Sequence, residues 1–382
     1  MKRLAHAPHR LYFFLGALAV LLLFGWWWLS LHGPHSAQAV PLHALLMPLG
    51  VFPLFILGFT FTAGPRWLAL NATDQYFLLN GATYFAGLML VLLASSLGWP
   101  PLRSSGFALM LSGWLAVTWR WGGLVRASTA PDKKHPQAIL AAMCGGTLAL
   151  AATLAWSAGV AAAWLPARQL AFFGFLLPVF VTVCHRMLPF FTSNVLRPYQ
   201  AWRPYWLLGA WLSGCAVLVI AGSLPVHLAE ALTATALSLS FAYTSWRWGL
   251  WRSLQNRLLA MLHLSFAWLT IVFALYAADA FGLRLGSAAL HALGLGFMAT
   301  MLVGFVSRVT YGHSGRPLEA GNLLWSIYLG LHLSAALRVL ASALEAPALI
   351  VISASAWLIL LGLWVALMLP AYLKARVDGQ PG

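Results

Sequence analysis

Acidic side chains are scarce. The 382 residues include seven, namely Asp74, Asp132, Glu230, Asp279, Glu319, Glu345 and Asp378, and charged residues of both signs make up 8% of the chain. Soluble domains carry about 25% charged residues, and a soluble fold with so few would expose large apolar patches and aggregate. Of the seven acids, only Glu230 and Asp279 fall near membrane depth on the span positions below, which is thin material for a carboxylate relay in a pump. Cysteine is nearly missing. Cys144, Cys184 and Cys215 show no paired spacing, so no disulfide framework is implied and buried, inert thiols are expected. No His-His pair and no His-x-His occurs anywhere, which argues against a terminal oxidase subunit with two haems and a copper. Regular apolar–polar alternation is missing too, which excludes a β-barrel.

What the chain has in abundance is apolar residues, 62% of the total. A helix needs about 20 of them to cross a roughly 30 Å hydrocarbon core, and it satisfies its own backbone while doing so. Apolar runs of that length predict spans near 11–31, 42–64, 75–97, 103–125, 139–163, 168–190, 204–223, 225–247, 257–281, 286–310, 321–343 and 347–372. The fold class expected is all-α, a polytopic membrane bundle of about twelve transmembrane helices forming one integral membrane domain over 1–382. The basic start and long apolar core of the first run read as a retained span, since no small-residue cleavage site follows it. The longest polar stretch, Arg126 to Pro136, divides four spans from eight. Other links are short, so sequential antiparallel hairpins are expected. No internal repeat is evident, which counts against an inverted-repeat transporter.

A formal charge of +15 suggests nucleic acid until the basic residues are placed. The N-terminus, the even-numbered links and the C-terminus hold eighteen of the 22 Lys and Arg. The odd-numbered links hold only Arg103, Arg168 and Arg284, and Arg338 lies within a span. By the positive-inside rule both termini are cytoplasmic. The charge thus reports topology and attraction to anionic lipid, not nucleic-acid binding, and the bilayer is the expected partner.

Twelve histidines are the chain's main chemical resource, because a neutral imidazole ligates haem iron or copper. His43 opens the second span and His291 lies about one and a half turns into the tenth, both on the periplasmic side, so they could meet at one level as metal ligands. Towards the cytoplasm, His185 beside Arg186 ends the sixth span, His263 starts the ninth, and His313 follows the tenth between Arg308 and Arg316. Arginines there suit carboxylates such as haem propionates. Plainer readings stand beside these. His332, alone near a midplane, suits a helix–helix hydrogen bond, and Arg186, Arg308 and Arg316 suit ordinary positive-inside charge. His32, His35 and His135 read as loop residues, Trp26-Trp27-Trp28 as an interfacial belt, and Met298 and Met301 as packing. His227 and Glu230, three apart on one helix face, would instead serve a transport pathway.

The stretch from His291-Ala292-Leu293-Gly294-Leu295-Gly296 through Arg308 to Gly312-His313-Ser314-Gly315-Arg316-Pro317 resembles the signature of the NnrS family, in which a HAL-x-x-G segment leads to R-x-x-x-G-H-T-G-R-P. Arg186 to Asn194, His263 to Trp268 and Gly58 to Trp67 resemble further family segments in the same order. One departure stands out. The family opens its second span with W-H-A-H-E-M, whereas this chain has Leu42-His43-Ala44-Leu45-Leu46-Met47, so a His and a Glu are replaced by Leu45 and Leu46. The resemblance implies a dozen spans in a bacterial inner membrane and a b-type haem, with copper as a further metal that the departure weakens. It also implies nitric oxide as a small-molecule ligand, and a role in denitrification or protection from nitrosative stress. The reaction, if any, is not implied. A cofactor-free transporter or an assembly factor for a respiratory complex is the alternative.

Overall fold

A computed structural model describes residues 2–33, 39–71, 76–224 and 226–380. Among the described residues there is no strand. The long helical rods in chain order are α1 (Pro8–His32), α2 (Ala39–Trp67), α3 (Phe77–Leu97), α4 (Pro100–Ala127), α5 (Lys134–Ser157), α6 (Ala161–Val195), α7 (Tyr205–Ala221), α8 (His227–Arg247), α9 (Arg257–Ala280), α10 (Ala288–Ser314), α11 (Asn322–Ala343) and α12 (Pro347–Leu373). Nine of these are long and apolar enough to cross a membrane. The other three are α7, with 17 residues, and α4 and α8, which carry more polar side chains, Arg103, Arg120 and Arg126 on α4 and a run of Ser and Thr on α8. Large apolar side chains stand on the outside of these rods, with Leu79, Trp119 and Leu333 each 74% exposed. Such a surface is stable in lipid and not in water.

Chain contacts divide the molecule into two compact units. The first runs through Val179 and includes Leu369–Ala375; the second is Phe180–Met368 with Arg376–Gln380. In the first unit α3 and α4 approach through glycines. A Cβ on Gly87 would lie 2.7 Å from the Gly106 carbonyl oxygen, and one on Gly106 would lie 2.8 Å from the Val91 nitrogen. Small residues at such crossings replace the hydrophobic drive that lipid does not supply. Trp114 and Trp121 are fully buried beside them, their indole N–H groups donating to the carbonyls of Met143 (2.9 Å) and Pro136 (3.1 Å) on α5. Buried Arg10 donates to the carbonyls of Tyr372 and Lys374, capping the end of α12.

In the second unit α8 and α9 pair around an aromatic core. Trp211 stacks on Phe241 at 4.8 Å, and Phe241 stacks on Phe273 at 5.5 Å. Trp364 of α12 donates to Ser307 of α10 at 3.0 Å.

Three rods contain wide π-helical turns, at Met47–Val51 in α2, Leu170–Leu176 in α6 and Ala292–Ala299 in α10. Such turns are rare and cluster at functional sites. Pro48 sits inside the first, where its missing N–H breaks the α ladder, and Gly294 and Gly296 sit inside the third. His43 precedes the first of these turns by one helical turn, and His291 immediately precedes the third.

Candidate functional site

In the second unit, His291 is half-buried in the first turn of α10. Its Nδ1 lies 2.8 Å from the Ser287 carbonyl oxygen. A carbonyl only accepts, so Nδ1 carries the proton and the ring's lone pair is on Nε2. A metal-ligating histidine is usually held this way, one nitrogen donating to a backbone carbonyl while the other faces the metal.

Three other histidines of this unit are arranged the opposite way. His263 is buried on α9, and its Nε2 lies 2.9 Å from Thr192 Oγ1 on α6. That hydroxyl gives its own proton to the Leu188 carbonyl at 2.8 Å, so it accepts from His263 and the proton is on Nε2. His185, fully buried between Tyr205 and Trp211, donates from Nε2 to the Pro204 carbonyl at 3.1 Å. His332 accepts at Nδ1 from the Trp268 indole at 2.7 Å. An indole N–H only donates, so His332 too carries its proton on Nε2, and among the described residues that buried donor meets no acceptor. The expected helix–helix hydrogen bond at His332 is therefore present. Of these four rings, His291 alone holds its lone pair on Nε2.

Arg308 of α10 lies over the Phe191 ring of α6 at 4.2 Å, one residue before Thr192. Arg186 is half-buried beside His185 on α6. His313 and Arg316 take a different place. They sit where α10 ends at Gly315, whose φ of +73° favours glycine, and the C-terminal segment lies against that end. Val377 donates to the Ser314 carbonyl at 3.0 Å, and Arg376 donates to the His313 carbonyl. Arg376 also forks onto Asp378 at 2.9 and 2.5 Å. These bonds hold the exposed Asp378 carboxyl at about 2, below the ordinary 3.8.

In the first unit, His43 stacks on Trp27 at 3.7 Å with 26° between the rings. Trp27 thus has a specific partner beyond an interfacial belt. Trp164 donates to the Pro41 carbonyl at 3.1 Å, and Arg168 lies over Trp164 at 4.9 Å. Leu45 and Leu46, where the chain departs from the segment it resembles, are both fully buried.

Among the described residues, no three of His, Cys, Asp and Glu gather into one group. Some expectations for individual residues change. His135 lies in the first turn of α5 and is fully buried, because the helix begins at Lys134 and takes in the end of the polar link. His32 belongs to the last turn of α1 and bonds the Trp28 carbonyl at 2.8 Å. His35 lies outside the described residues, as does Asp74. Cys184 and Cys215 are buried as expected, but Cys144 is exposed. Met298 and Met301 are fully buried packing residues, and His227 is exposed at the start of α8.

Ser287 was within reach of sequence reasoning, since it stands four residues before His291. Thr192, Trp268 and Trp27 were not, because each is brought in by a different helix.

A multi-pass α-helical membrane protein with buried imidazoles on its described helices is the class these features define. More narrowly, the chain belongs to the NnrS family: the family described as NnrS protein matches residues 3–376. No curated protein matches the sequence.

Proposed function

We propose that this NnrS-family chain binds a b-type haem in the bacterial inner membrane and acts in the response to nitric oxide, in denitrification or in protection from nitrosative stress. The supporting observation is the tautomer of His291, which keeps a lone pair on Nε2 and a fixed ring through the Ser287 carbonyl. The residues fit an iron porphyrin better than a many-ligand metal cluster, since haem asks the protein for only one or two axial donors. His291 would be the first of these and His43 is proposed for the first unit. When bound, haem supplies an iron that takes up nitric oxide.

The chain's own contribution is to hold the His291 ring by its Nδ1–H, to present the lone pair of Nε2, and to exclude water with the apolar helices around it. His185, His263 and His313 are the second choice of ligands, with Arg186, Arg308 and Arg316 anchoring an anionic edge of the cofactor in that case. In their present hydrogen bonds, His185 and His263 orient neighbouring helices and do not offer Nε2. Twelve spans with both termini cytoplasmic complete the proposal, supported by the basic-residue asymmetry.

The test is an absorption spectrum of protein purified in mild detergent, reduced minus oxidised, with and without nitric oxide. A Soret band that shifts with the gas supports the proposal. A colourless protein that takes up no haem overturns it, and favours the cofactor-free transporter or assembly factor.

A further inference from the structure

Arg338 lies in α11, inside a membrane-spanning segment and towards the end where the chain has few basic residues. The two other arginines at such ends with described partners use aromatic faces. Arg103 lies over Trp156 at 5.4 Å and bonds Ser157, and Arg168 lies over Trp164. Arg338 lies over no ring and pairs with no carboxylate among the described residues. Its guanidinium donates instead to Ser342 Oγ, one turn further along α11. Ser342 Oγ in turn lies 3.1 Å from Ser287 Oγ, and the Ser287 carbonyl holds the His291 ring. Arg338, Ser342, Ser287 and His291 are thus linked from α11 to the start of α10, with the guanidinium in electrostatic reach of the imidazole.

An ionised side chain in a membrane span is expensive and is retained where it pairs with something. One hydroxyl satisfies a single N–H of the five on a guanidinium. The fork of the remaining N–H groups matches a flat anion with two oxygens, and the amino-terminal end of α10 favours the same sign. Acidic side chains at the same ends of their helices do not supply it. Asp279 is turned to the Leu285 amide at 3.1 Å, and Glu345 is exposed in the link after α11.

We infer that Arg338, with Ser342 and Ser287, is a binding site for a carboxylate-type anion, linked through Ser287 to the His291 ring. The anion is either a propionate of a porphyrin ligated by His291, which rests on the function proposed above, or a free small carboxylate that reaches the same fork.

The two sources separate by experiment on the purified full chain in detergent. Haemin is titrated against its dimethyl ester, in which both propionates are neutral. The propionate source predicts that wild type binds haemin at least tenfold more tightly than the ester. It also predicts that Arg338→Gln binds both alike while keeping the His291-dependent Soret band. The free-anion source predicts no such preference. Instead, sodium formate at fixed ionic strength raises the thermal unfolding midpoint of wild type and leaves that of Arg338→Gln unmoved. Ser342→Ala, which keeps the charge, is expected to weaken whichever effect is seen by a few-fold, and it serves if Arg338→Gln does not fold. If neither the haemin preference nor the formate shift depends on Arg338 or Ser342, the inference is overturned. A protein that takes up no porphyrin ends the proposed function alone, and the formate titration then decides the anion site.

Discussion

Gly296 stands inside the wide turn of α10, five residues after His291, and its bare backbone is covered by the Trp268 ring of α9. A Cβ placed there would lie 2.5 Å from Trp268 Cδ2. Ordinary carbon contacts lie at about 3.5–4.0 Å, so Gly296→Ala asks the two helices or the ring to give by about 1 Å. The ring is poorly placed to do so, because its N–H is bonded to His332, whose ring lies nearly in the same plane, 20° from parallel. Overpacking of this kind costs about 1–3 kcal/mol. Gly296→Ala is therefore expected to lower the free energy of unfolding in mixed detergent micelles by that amount. Trp268→Ala leaves a cavity and costs about 3–5 kcal/mol by itself. The double variant is nonetheless expected to be at least about 1 kcal/mol more stable than the sum of the two losses, because the residues in conflict touch. A Gly296→Ala protein that unfolds within about 0.5 kcal/mol of wild type, or two losses that simply add, would rule out a packing conflict between Gly296 and Trp268.

Thr192→Val removes the hydroxyl that accepts from His263, and is expected to cost about 0.6–1.7 kcal/mol, the range of such bonds between membrane helices; Thr192→Ser should restore stability measured in the same micelles. Asp378 has a folded pKa near 2, below its ordinary 3.8, so its bond to Arg376 contributes above about pH 4 and is lost as pH falls towards 2. A carboxyl-carbon NMR titration of Asp378 should give the low midpoint, and Arg376→Gln should return it towards 3.8. At neutral pH, Asp378→Asn should speed tryptic cleavage after Arg376, whose ion pair it removes. Because Leu45 and Leu46 stand buried where the chain departs from the segment it resembles, elemental analysis is expected to find less than one copper per purified chain.

The apolar runs placed the helices well where polar or helix-ending residues bound them. The expected spans 75–97, 257–281 and 321–343 correspond to Phe77–Leu97, Arg257–Ala280 and Asn322–Ala343. Asn256 caps the second of these by accepting from the Leu259 amide at 3.0 Å, and Gly98 ends the first in the left-handed region. Helices run past their apolar cores where the backbone can continue into polar sequence. Pro100 starts α4 three residues early, since a proline suits a first helical turn, and α5 starts five residues early and draws in His135. The wide turns of α2, α6 and α10 were not legible. An extra residue in a helix that is apolar on every side leaves no break in the pattern. For the site, His291 and His43 were visible as residues, but their states were not. Which nitrogen carries the proton depends on Ser287 for His291, on Thr192 for His263 and on Trp268 for His332, and two of those three partners come from another helix.

His291 Nε2 is proposed as a donor to a haem iron. The most direct test is the reduced-minus-oxidised spectrum of His291→Ala beside wild type, both purified at matched haem supply and shown to be folded by helical circular dichroism. Loss or marked displacement of the Soret band in a folded His291→Ala protein is the predicted result. An unchanged spectrum and haem content in that variant would contradict the claim.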